Sequence, residues 1–429
     1  VKYAYPAWVE GSKMGMDKMK VHMDKDAAVR LMYASKYAGV ANYWKNRQGM
    51  IDALSKFKTA DAKRKNEAKF NAWANKPANK AKYGEVVPTI NKYYAMTNEK
   101  ARHDNYLQQL LRTSAFGTIS RGLGKQLEGY AKADVAKRAQ LKPGLQEMIN
   151  GFFEEVYLPA EKDILAGQLA LYNAKAGYKI APSVEEMAKA NNNDFTAFVN
   201  AAFELSMFTS KEKLNAFLEI PSEAMITNDP LNKLSNDMLT HLTTRSDELT
   251  QAQNDYSKSF RLLVEGLRES KLSPIQYPDA NSTLRLTYGK VRALPADKRN
   301  DAKINNYTTL EGMVKKHKAG DEEFNLSQPL IDLYNKKDFG QYADKDGSLH
   351  VNFLTDNDIT GGNSGSPVLN GKGELIGLAF DGNIEAMAGD VIFDDKLQRT
   401  INVDIRFVLF IIEKYAGAKH IIDELTIVK

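Results

Sequence analysis

Residues 360–368 read Thr-Gly-Gly-Asn-Ser-Gly-Ser-Pro-Val, and this stretch decides the fold of the second part of the chain. Small residues on both sides of Ser364 let the backbone turn tightly, so the N–H groups of Gly362 and Ser364 can converge on one point. One donor fixed at the oxygen of a tetrahedral intermediate contributes about 3–4 kcal/mol to catalysis. A glycine-rich hairpin is the alternative, but the full string predicts a serine nucleophile in an oxyanion loop.

A serine nucleophile needs a base, normally histidine, and a carboxylate that orients this base. The chain has six histidines, which are His22, His103, His241, His317, His350 and His420. Only His350 has a promising setting, in a strand-like run that leads towards the serine loop. Alternation puts His350 on one face with Asn352 and Leu354, which indicates a surface histidine beside an apolar face. We therefore expect the base and its carboxylate to lie outside these 429 residues.

Composition bounds the class of protein. The chain has 59 basic and 54 acidic residues, and its net charge of +5 is too evenly spread to require a nucleic-acid partner. The absence of cysteine excludes a disulfide framework and a cysteine metal site, and it is compatible with the periplasm or the cell surface. Residues 1–6 do not resemble a signal peptide, and no apolar run approaches the ~20 residues of a membrane span. We expect an exported protein without a metal or other cofactor.

The chain has two compositional regimes. Helix formers dominate residues 15–272, where Val40, Trp44 and Ile51 share one helical face and prolines divide the region into about seven to ten helices. From residue 273 onward, short apolar runs and glycine-rich turns indicate an antiparallel sheet. The predicted strands are the alternating Leu284, Leu286 and Tyr288, and residues 349–354, 366–369 and 375–380, with a hairpin turn at residues 370–373.

After the strands, Asp404 is placed to cap an apolar helix that closes the chain. The fold class predicted from these patterns is α+β, a large helical domain followed by antiparallel β structure.

Several segments resemble the bacterial serine dipeptidyl peptidases of peptidase family forty-six. The similarity extends over essentially the whole chain and is specific at residues 33–38, 41–46, 355–368, 377–383 and 397–400. The family implies a trypsin-like double barrel with a helical domain inserted between its halves. Residues 1–14 would then be a connection from the first half-barrel, residues 15–272 the inserted domain, and residues 273–429 the second half-barrel with its closing helix. The first half-barrel, which carries the catalytic histidine and aspartate, would lie outside this chain.

The resemblance also implies how a substrate is selected. An enzyme that releases dipeptides must measure two residues, about 7 Å of extended chain, from the free amino terminus. By resemblance, Asp381 and Asn42 bind the substrate's α-ammonium group. Without the resemblance, Asp381 would be interpreted as a turn aspartate and Asn42 as a helix-surface amide.

Gly382 and Asn363 differ from related enzymes in informative ways. In the acid-selective branch of the family an arginine occupies the position of Gly382, so a glycine implies a roomy, uncharged pocket that prefers apolar P1 side chains. Burial of such a side chain contributes about 1.5–3 kcal/mol. Many trypsin-like enzymes have an aspartate at the position of Asn363 that pairs with a newly cut N-terminus. An amide cannot form this ion pair.

Two other functions stay open. The string at residues 362–368 also occurs in glutamyl endopeptidases, so a trypsin-like endopeptidase is one alternative, although a helical insertion over the cleft argues against it. A non-catalytic helical peptide-binding module is the other, although the intact serine loop argues against it. The expected partner is an oligopeptide with a free N-terminus, and a homodimer is left open. The 429 residues alone are expected to be inactive.

Overall fold

A computed structural model describes residues 1–273, 283–295, 306–321 and 323–428. The chain divides into two compact units, which are Val1–Asp52 with Ala60–Gln276, and Ala53–Thr59 with Tyr277–Lys429. The second unit's main segment begins a few residues after the boundary predicted at residue 273. No described helix is both long enough and apolar enough to cross a membrane.

The first unit consists of helices and short connecting segments in its described residues, and only the last turn of α2 and the first residue of α3 fall in the segment Ala53–Thr59 of the second unit. Its helices are α1 (Ala4–Met23), α2 (Ala27–Lys56), α3 (Thr59–Ala74), α4 (Pro77–Tyr83), α5 (Val86–Thr113), α6 (Leu123–Lys132), α7 (Val135–Glu154), α8 (Leu158–Lys175), α9 (Pro182–Ala190), α10 (Phe195–Leu205), α11 (Lys211–Glu219), α12 (Glu223–Thr227), α13 (Pro230–Thr243) and α14 (Asp247–Glu269).

These fourteen described helices exceed the seven to ten expected from proline spacing. The difference arises because several helices begin at side-chain caps without a proline. Asp134, Asp194, Ser210 and Ser246 each accept a hydrogen bond from a backbone N–H in the first turn that follows. Such a cap satisfies a donor that the helix itself leaves unpaired, so it begins a helix as effectively as proline does.

The core of the first unit lies where α1, α5 and α8 pack together. Leu107 and Leu110 of α5 and Leu169 of α8 are fully buried there, and Ala7 of α1 belongs to the same cluster. The boundary predicted at residue 14 falls inside α1. Because Ala7 is buried in the helical core, most of residues 1–14 pack as part of the helical unit.

The second unit is built on a five-stranded antiparallel sheet with the strand order β1-β2-β5-β4-β3. Its strands are β1 (Tyr307–Thr309), β2 (His350–Thr355), β3 (Ser366–Leu369), β4 (Leu375–Gly382) and β5 (Thr400–Asp404). Its helices are α15 (Leu310–Lys315), α16 (Gln328–Lys336), α17 (Ile405–Phe410), which continues as a π turn at Ile411–Tyr415, and α18 (Lys419–Asp423). A helical region followed by an antiparallel sheet confirms the α+β class.

Most of the predicted elements around the sheet are present. The strands predicted from residues 349, 366 and 375 correspond to β2, β3 and β4, and the Asp404 side chain accepts from the Arg406 N–H at the start of α17. In the β3–β4 turn, the Gly373 N–H donates to the Asn370 carbonyl at 3.0 Å. Gly373 has a φ of +81°, a conformation that glycine adopts at little cost.

The strand predicted at Leu284, Leu286 and Tyr288 is wrong. Residues 284–290 form no strand in the structure, and these three side chains are almost fully exposed. Pairing begins only at Val291, which bridges to Thr355 of β2. Alternation of apolar residues predicts a strand only where a second surface buries one face, and these side chains have no such cover among the described residues.

The glycines of α1 provide a test of the core packing. A Cβ at Gly11 would lie 2.7 Å from the Gln109 Cβ, whereas a Cβ at Gly39 in α2 would meet nothing within 4 Å. We predict that Gly11→Ala lowers the free energy of unfolding by about 1–3 kcal/mol because α1 must move away from α5. Gly39→Ala, the control, should raise it by up to about 1 kcal/mol through helix propensity. Denaturant unfolding measures both, and equal shifts would contradict the packing argument.

Candidate active site

The serine loop connects β2 to β3, and two glycines shape it. Gly362 has a φ of +108° and Gly365 a φ of +83°, which are left-handed values that a side chain would strain. The Gly365 N–H donates to the Ala379 carbonyl at 2.7 Å, which fastens the loop to β4. The small residues that predicted a tight turn are therefore needed where they occur.

Ser364 is exposed at the tip of this loop. Its hydroxyl donates a long hydrogen bond of 3.5 Å to the Phe380 carbonyl. Among the described residues, the N–H groups of Gly362 and Ser364 donate no backbone hydrogen bond, whereas Asn363 and Gly365 between and beside them do. Two unengaged donors therefore flank Asn363, as an oxyanion loop requires, and the role itself remains a prediction.

The Asn363 side chain has a structural role that the sequence did not reveal. Its amide oxygen accepts from the Thr360 N–H at 3.0 Å, and the Thr360 hydroxyl donates to Asp390 at 2.9 Å. The Asn363 N–H also donates to the Thr360 carbonyl at 3.2 Å. This asparagine closes the loop on itself by a local side-chain hydrogen bond of the kind common in turns.

His350 is held in a different part of the sheet. Its ring stacks on Tyr307 with 3.9 Å between centroids, and its Nδ1 lies 3.2 Å from the Arg406 guanidinium and 3.5 Å from Asp344. In the strand order, β5 and β4 separate β2 from β3. Among the described residues, no histidine hydrogen-bonds to Ser364, so this chain shows no base in contact with the predicted nucleophile.

Asp381 and Gly382 end β4, directly after the carbonyl that Ser364 contacts. The register shifts between Ala379 and Asp381, so Phe380 forms a β-bulge. The Asp381 carboxylate is exposed and accepts from the Gly382 N–H at 2.8 Å, as a turn aspartate does. Gly382 does not have a positive φ, but a Cβ there would lie 2.9 Å from the Ala386 Cβ.

Asn383 ties the end of β4 to the segment before β5. Its side chain accepts from the Arg399 N–H and donates to the Leu397 carbonyl, each at 2.8 Å, and its N–H donates to the Arg399 carbonyl at 3.0 Å. This residue was not predicted as part of the site. The side-chain bonds prolong the strand pairing by one residue, so they hold the backbone beside Asp381 and Gly382.

The Arg399 side chain is 3% exposed and is bonded to backbone in the same region. All five of its N–H groups donate to backbone carbonyls, two of them to Ala293 at 3.3 and 2.9 Å. The remaining three donate to the carbonyls of Asp395, Gln398 and Lys396. Burial, with a contribution from the charge of Arg292, lowers the pKa of Arg399. With every donor engaged, Arg399 is a structural cation with no N–H left for a ligand.

Asn42 lies on the exposed surface of α2 in the first unit. Asp381, Gly382 and Ser364 belong to the second unit. The pairing of Asn42 with Asp381 at one ammonium group therefore stays a prediction. Within the described ranges, no group of three or more histidine, aspartate or glutamate side chains could hold a metal ion.

Comparison with known proteins identifies the family. The chain matches the peptidase S46 family model over residues 1–427, and it belongs to this family. It is 53% identical over 432 residues to dipeptidyl-peptidase 7 of Capnocytophaga gingivalis, with 100% of this chain and 60% of the relative covered. It is 32% identical over 436 residues to the Asp/Glu-specific dipeptidyl-peptidase of Flavobacterium psychrophilum, with 99% and 59% covered.

A solved structure shows the same fold. Porphyromonas endodontalis DPP11 in complex with the dipeptide Arg-Glu aligns with a TM-score of 0.85 at 28% sequence identity, covering 99% of this chain and 60% of that chain. The chain thus spans about 60% of the length of each of these three relatives.

The Asn383 contacts predict a local effect on backbone protection. Asn383→Ala should accelerate hydrogen exchange at the amides of residues 382–383 and 399–400, because the strand end loses its side-chain hydrogen bonds. Asn370→Ala is the matched control, since Asn370 bonds to the N–H groups of Lys372 and Glu374 in the β3–β4 turn. The control should accelerate exchange only in that turn. Unchanged exchange at the Arg399 amide in Asn383→Ala would contradict the assignment.

Proposed function

We propose that the chain is the C-terminal portion of a longer serine peptidase that releases dipeptides from the free N-terminus of oligopeptides. The observation that carries this proposal is the serine loop. The Ser364 side chain is exposed there, and among the described residues the N–H groups of Gly362 and Ser364 donate no backbone hydrogen bond. Membership of the peptidase S46 family supports it, as do the names of the relatives, which are dipeptidyl-peptidases.

In the proposed reaction, the Ser364 hydroxyl oxygen attacks the carbonyl carbon of the second substrate residue while a base takes its proton. The N–H groups of Gly362 and Ser364 stabilise the negative oxygen that forms. The tetrahedral intermediate then expels the amine of the shortened peptide, which receives the proton from the base. Water hydrolyses the remaining acyl-enzyme, and the dipeptide leaves.

We further propose that the sheet β1–β5 is one half of a trypsin-like double barrel. The antiparallel pairing and the serine loop between β2 and β3 support this assignment. The other half, with the catalytic histidine and aspartate, would lie in the part of the longer protein that this chain does not span. Without that half, the 429 residues would contain no catalytic base for Ser364 and would be inactive.

The exopeptidase mode depends on Asp381 and Asn42 as ligands of the substrate ammonium group. The Asp381 carboxylate is exposed and follows directly after Phe380, whose carbonyl accepts from Ser364. Among the residues that the structure describes, one of its oxygens accepts from the Gly382 N–H, and the other is an acceptor available to a cation. An endopeptidase would need no such anchor.

We propose an apolar P1 preference, set by Gly382. The relatives divide between proteins named dipeptidyl-peptidase 7, at 34–53% identity, and Asp/Glu-specific enzymes, at 30–32%. Gly382 offers no cation for an acidic side chain, and the nearby Arg399 has no free donor. A neutral pocket favours apolar side chains by burial.

The first functional prediction concerns the nucleophile. In the full-length protein, Ser364→Ala should abolish dipeptide release and leave the unfolding temperature unchanged, because only the attacking hydroxyl is lost. Ser366→Ala, two residues away, should retain turnover. A fluorophosphonate probe should label the full-length protein quickly and the 429-residue chain slowly. Turnover of Ser364→Ala within about tenfold of wild type would refute the assignment.

The second functional prediction concerns the ammonium anchor. Asp381→Asn keeps an acceptor for the Gly382 N–H but removes a charge-assisted hydrogen bond worth roughly 1.5–3 kcal/mol. We expect kcat/KM to fall strongly for free-amine dipeptidyl substrates and little for acetylated ones. Asp346→Asn changes a comparable exposed turn aspartate, so it controls for loss of charge. Equal losses on both substrate types would make Asp381 a structural turn residue.

The third functional prediction concerns specificity. Gly382→Arg introduces a guanidinium that obstructs a bulky apolar P1 group and pairs with a carboxylate. The ratio of kcat/KM for Phe or Leu over Asp or Glu at P1 should fall at least tenfold, about 1.4 kcal/mol. Gly382→Ala is the control, because it brings the same Cβ against Ala386 without the charge. If both variants are active with the same ratio, Gly382 does not set the preference.

A further inference from the structure

Helix α2 is fully buried only towards its two ends and is partly buried between them. Of its 30 residues, the buried ones are Val29, Tyr33, Met50 and Ala53. Residues 34–49 between them contain no fully buried position, although Tyr37 and Val40 pack partly buried against the cluster of Tyr33. Asn42 is exposed within this stretch, beside Tyr43, whose ring lies 6.3 Å from the ring of Trp8. The position of Asn42 therefore depends on the contacts that hold α2 before and after it.

The anchor before Asn42 is a buried carboxylate on α8. Glu161 is fully buried, and its Oε1 accepts from the Tyr33 hydroxyl at 2.8 Å and from the Lys36 ammonium at 3.0 Å. Its Oε2 accepts from the Ser114 hydroxyl at 3.0 Å and from the Ala115 N–H at 2.7 Å. One side chain thus joins α2, α8 and the segment that follows α5.

The contact is specific in geometry and charge. Tyr33 and Lys36 are three residues apart, so they project from the same face of α2. Burial and the charge of Glu161 raise the pKa of the Tyr33 hydroxyl, which therefore stays a neutral donor. The same hydroxyl accepts from the Tyr157 N–H at 3.2 Å. Removing one partner of a buried ion pair leaves a charge without compensation, so this anchor tolerates little change.

Asp229 is a second buried carboxylate, and its contacts have a purely structural role. It is 5% exposed and accepts from the Ser206 hydroxyl and from the N–H groups of Met207, Leu231 and Asn232. It caps α13 and holds the segment after α10, and none of its partners carries a residue assigned to the site. Glu161 differs because one of the elements it joins presents Asn42.

We propose that Glu161 is a positioning residue for substrate binding, which acts through Tyr33 and Lys36 on α2 to fix Asn42. Asn42 follows Lys36 by six residues, about 9 Å along the helix axis. The helix α2 contains no proline and continues through Gly39. Because a continuous helix is rigid over two turns, the position of Lys36 helps to fix the position of Asn42. This inference rests on the proposed function, in which Asn42 binds the substrate ammonium group.

The test uses the full-length enzyme with free-amine and acetylated dipeptidyl substrates. Glu161→Gln should raise KM for the free-amine substrate about tenfold, change kcat little, and leave the acetylated substrate unaffected. Asp229→Asn is the matched control and should lower the unfolding temperature without this selective change in KM. If Glu161→Gln does not fold, Tyr33→Phe, which loses only the hydroxyl, is measured in the same way. A folded variant with unchanged KM overturns the proposal.

A double-mutant cycle separates the inference from the function on which it rests. If Glu161 acts through Asn42, Glu161→Gln adds nothing further to KM in the Asn42→Ala background. Fully additive effects would show that Glu161 acts by another route and overturn the proposal. If Asn42→Ala alone leaves the preference for free amines unchanged, the proposed ammonium site at Asn42 fails instead.

Discussion

The candidate site rests on one constraint, which is that a buried guanidinium must have every donor satisfied. Arg399 meets this constraint with backbone carbonyls from Ala293 and from the segment 395–398. Because the same residue's main chain pairs with Asn383, these bonds fix the end of β4 as well. Polar contacts thus hold the backbone beside Asp381 and Gly382.

The same principle recurs in the first unit, where apolar packing and polar anchors have separate tasks. The leucines of α5 and α8 bury area without direction, so they stabilise the helices but leave their exact rotation open. Glu161 and Asp229 supply directional contacts that fix particular segments. Buried polar groups are costly unless fully paired, and both carboxylates bind several donors.

Local sequence patterns predicted the parts of the fold that depend on local physics. The division into helical and β regions, the strands β2 to β4 and the Asp404 cap follow from periodicity, turn residues and capping. The central strand β5 was missed because its buried face carries Thr400, Asn402 and Asp404, whereas Ile401 and Val403 are only partly buried. Polar residues on the buried face are not typical of a strand in a sequence pattern. Thr400 and Asn402 are tolerated in β5 because their side chains hydrogen-bond to residues that are distant in the chain.

The candidate site shows the same division. The serine loop was predictable because its glycines and its closing turn are consecutive in the chain. The contacts of Arg399 with Ala293 join residues that are far apart, and a carbonyl acceptor leaves no mark on residue type. The motif at residues 397–400 was recognised by resemblance, and its structural reason became visible only in three dimensions.

The bulge at Phe380 has a consequence for the charge at the strand end. Gly377 and Ala379 occupy the buried side of β4, and regular alternation would turn residue 381 to that side too. The extra residue leaves Phe380 and Asp381 both exposed in succession. The Asp381 carboxylate therefore stays hydrated at the end of a strand in which Gly377 and Ala379 are buried. Substitution at position 380 preserves this arrangement, because the extra backbone residue, and not the Phe380 side chain, keeps the acid on the side that water reaches.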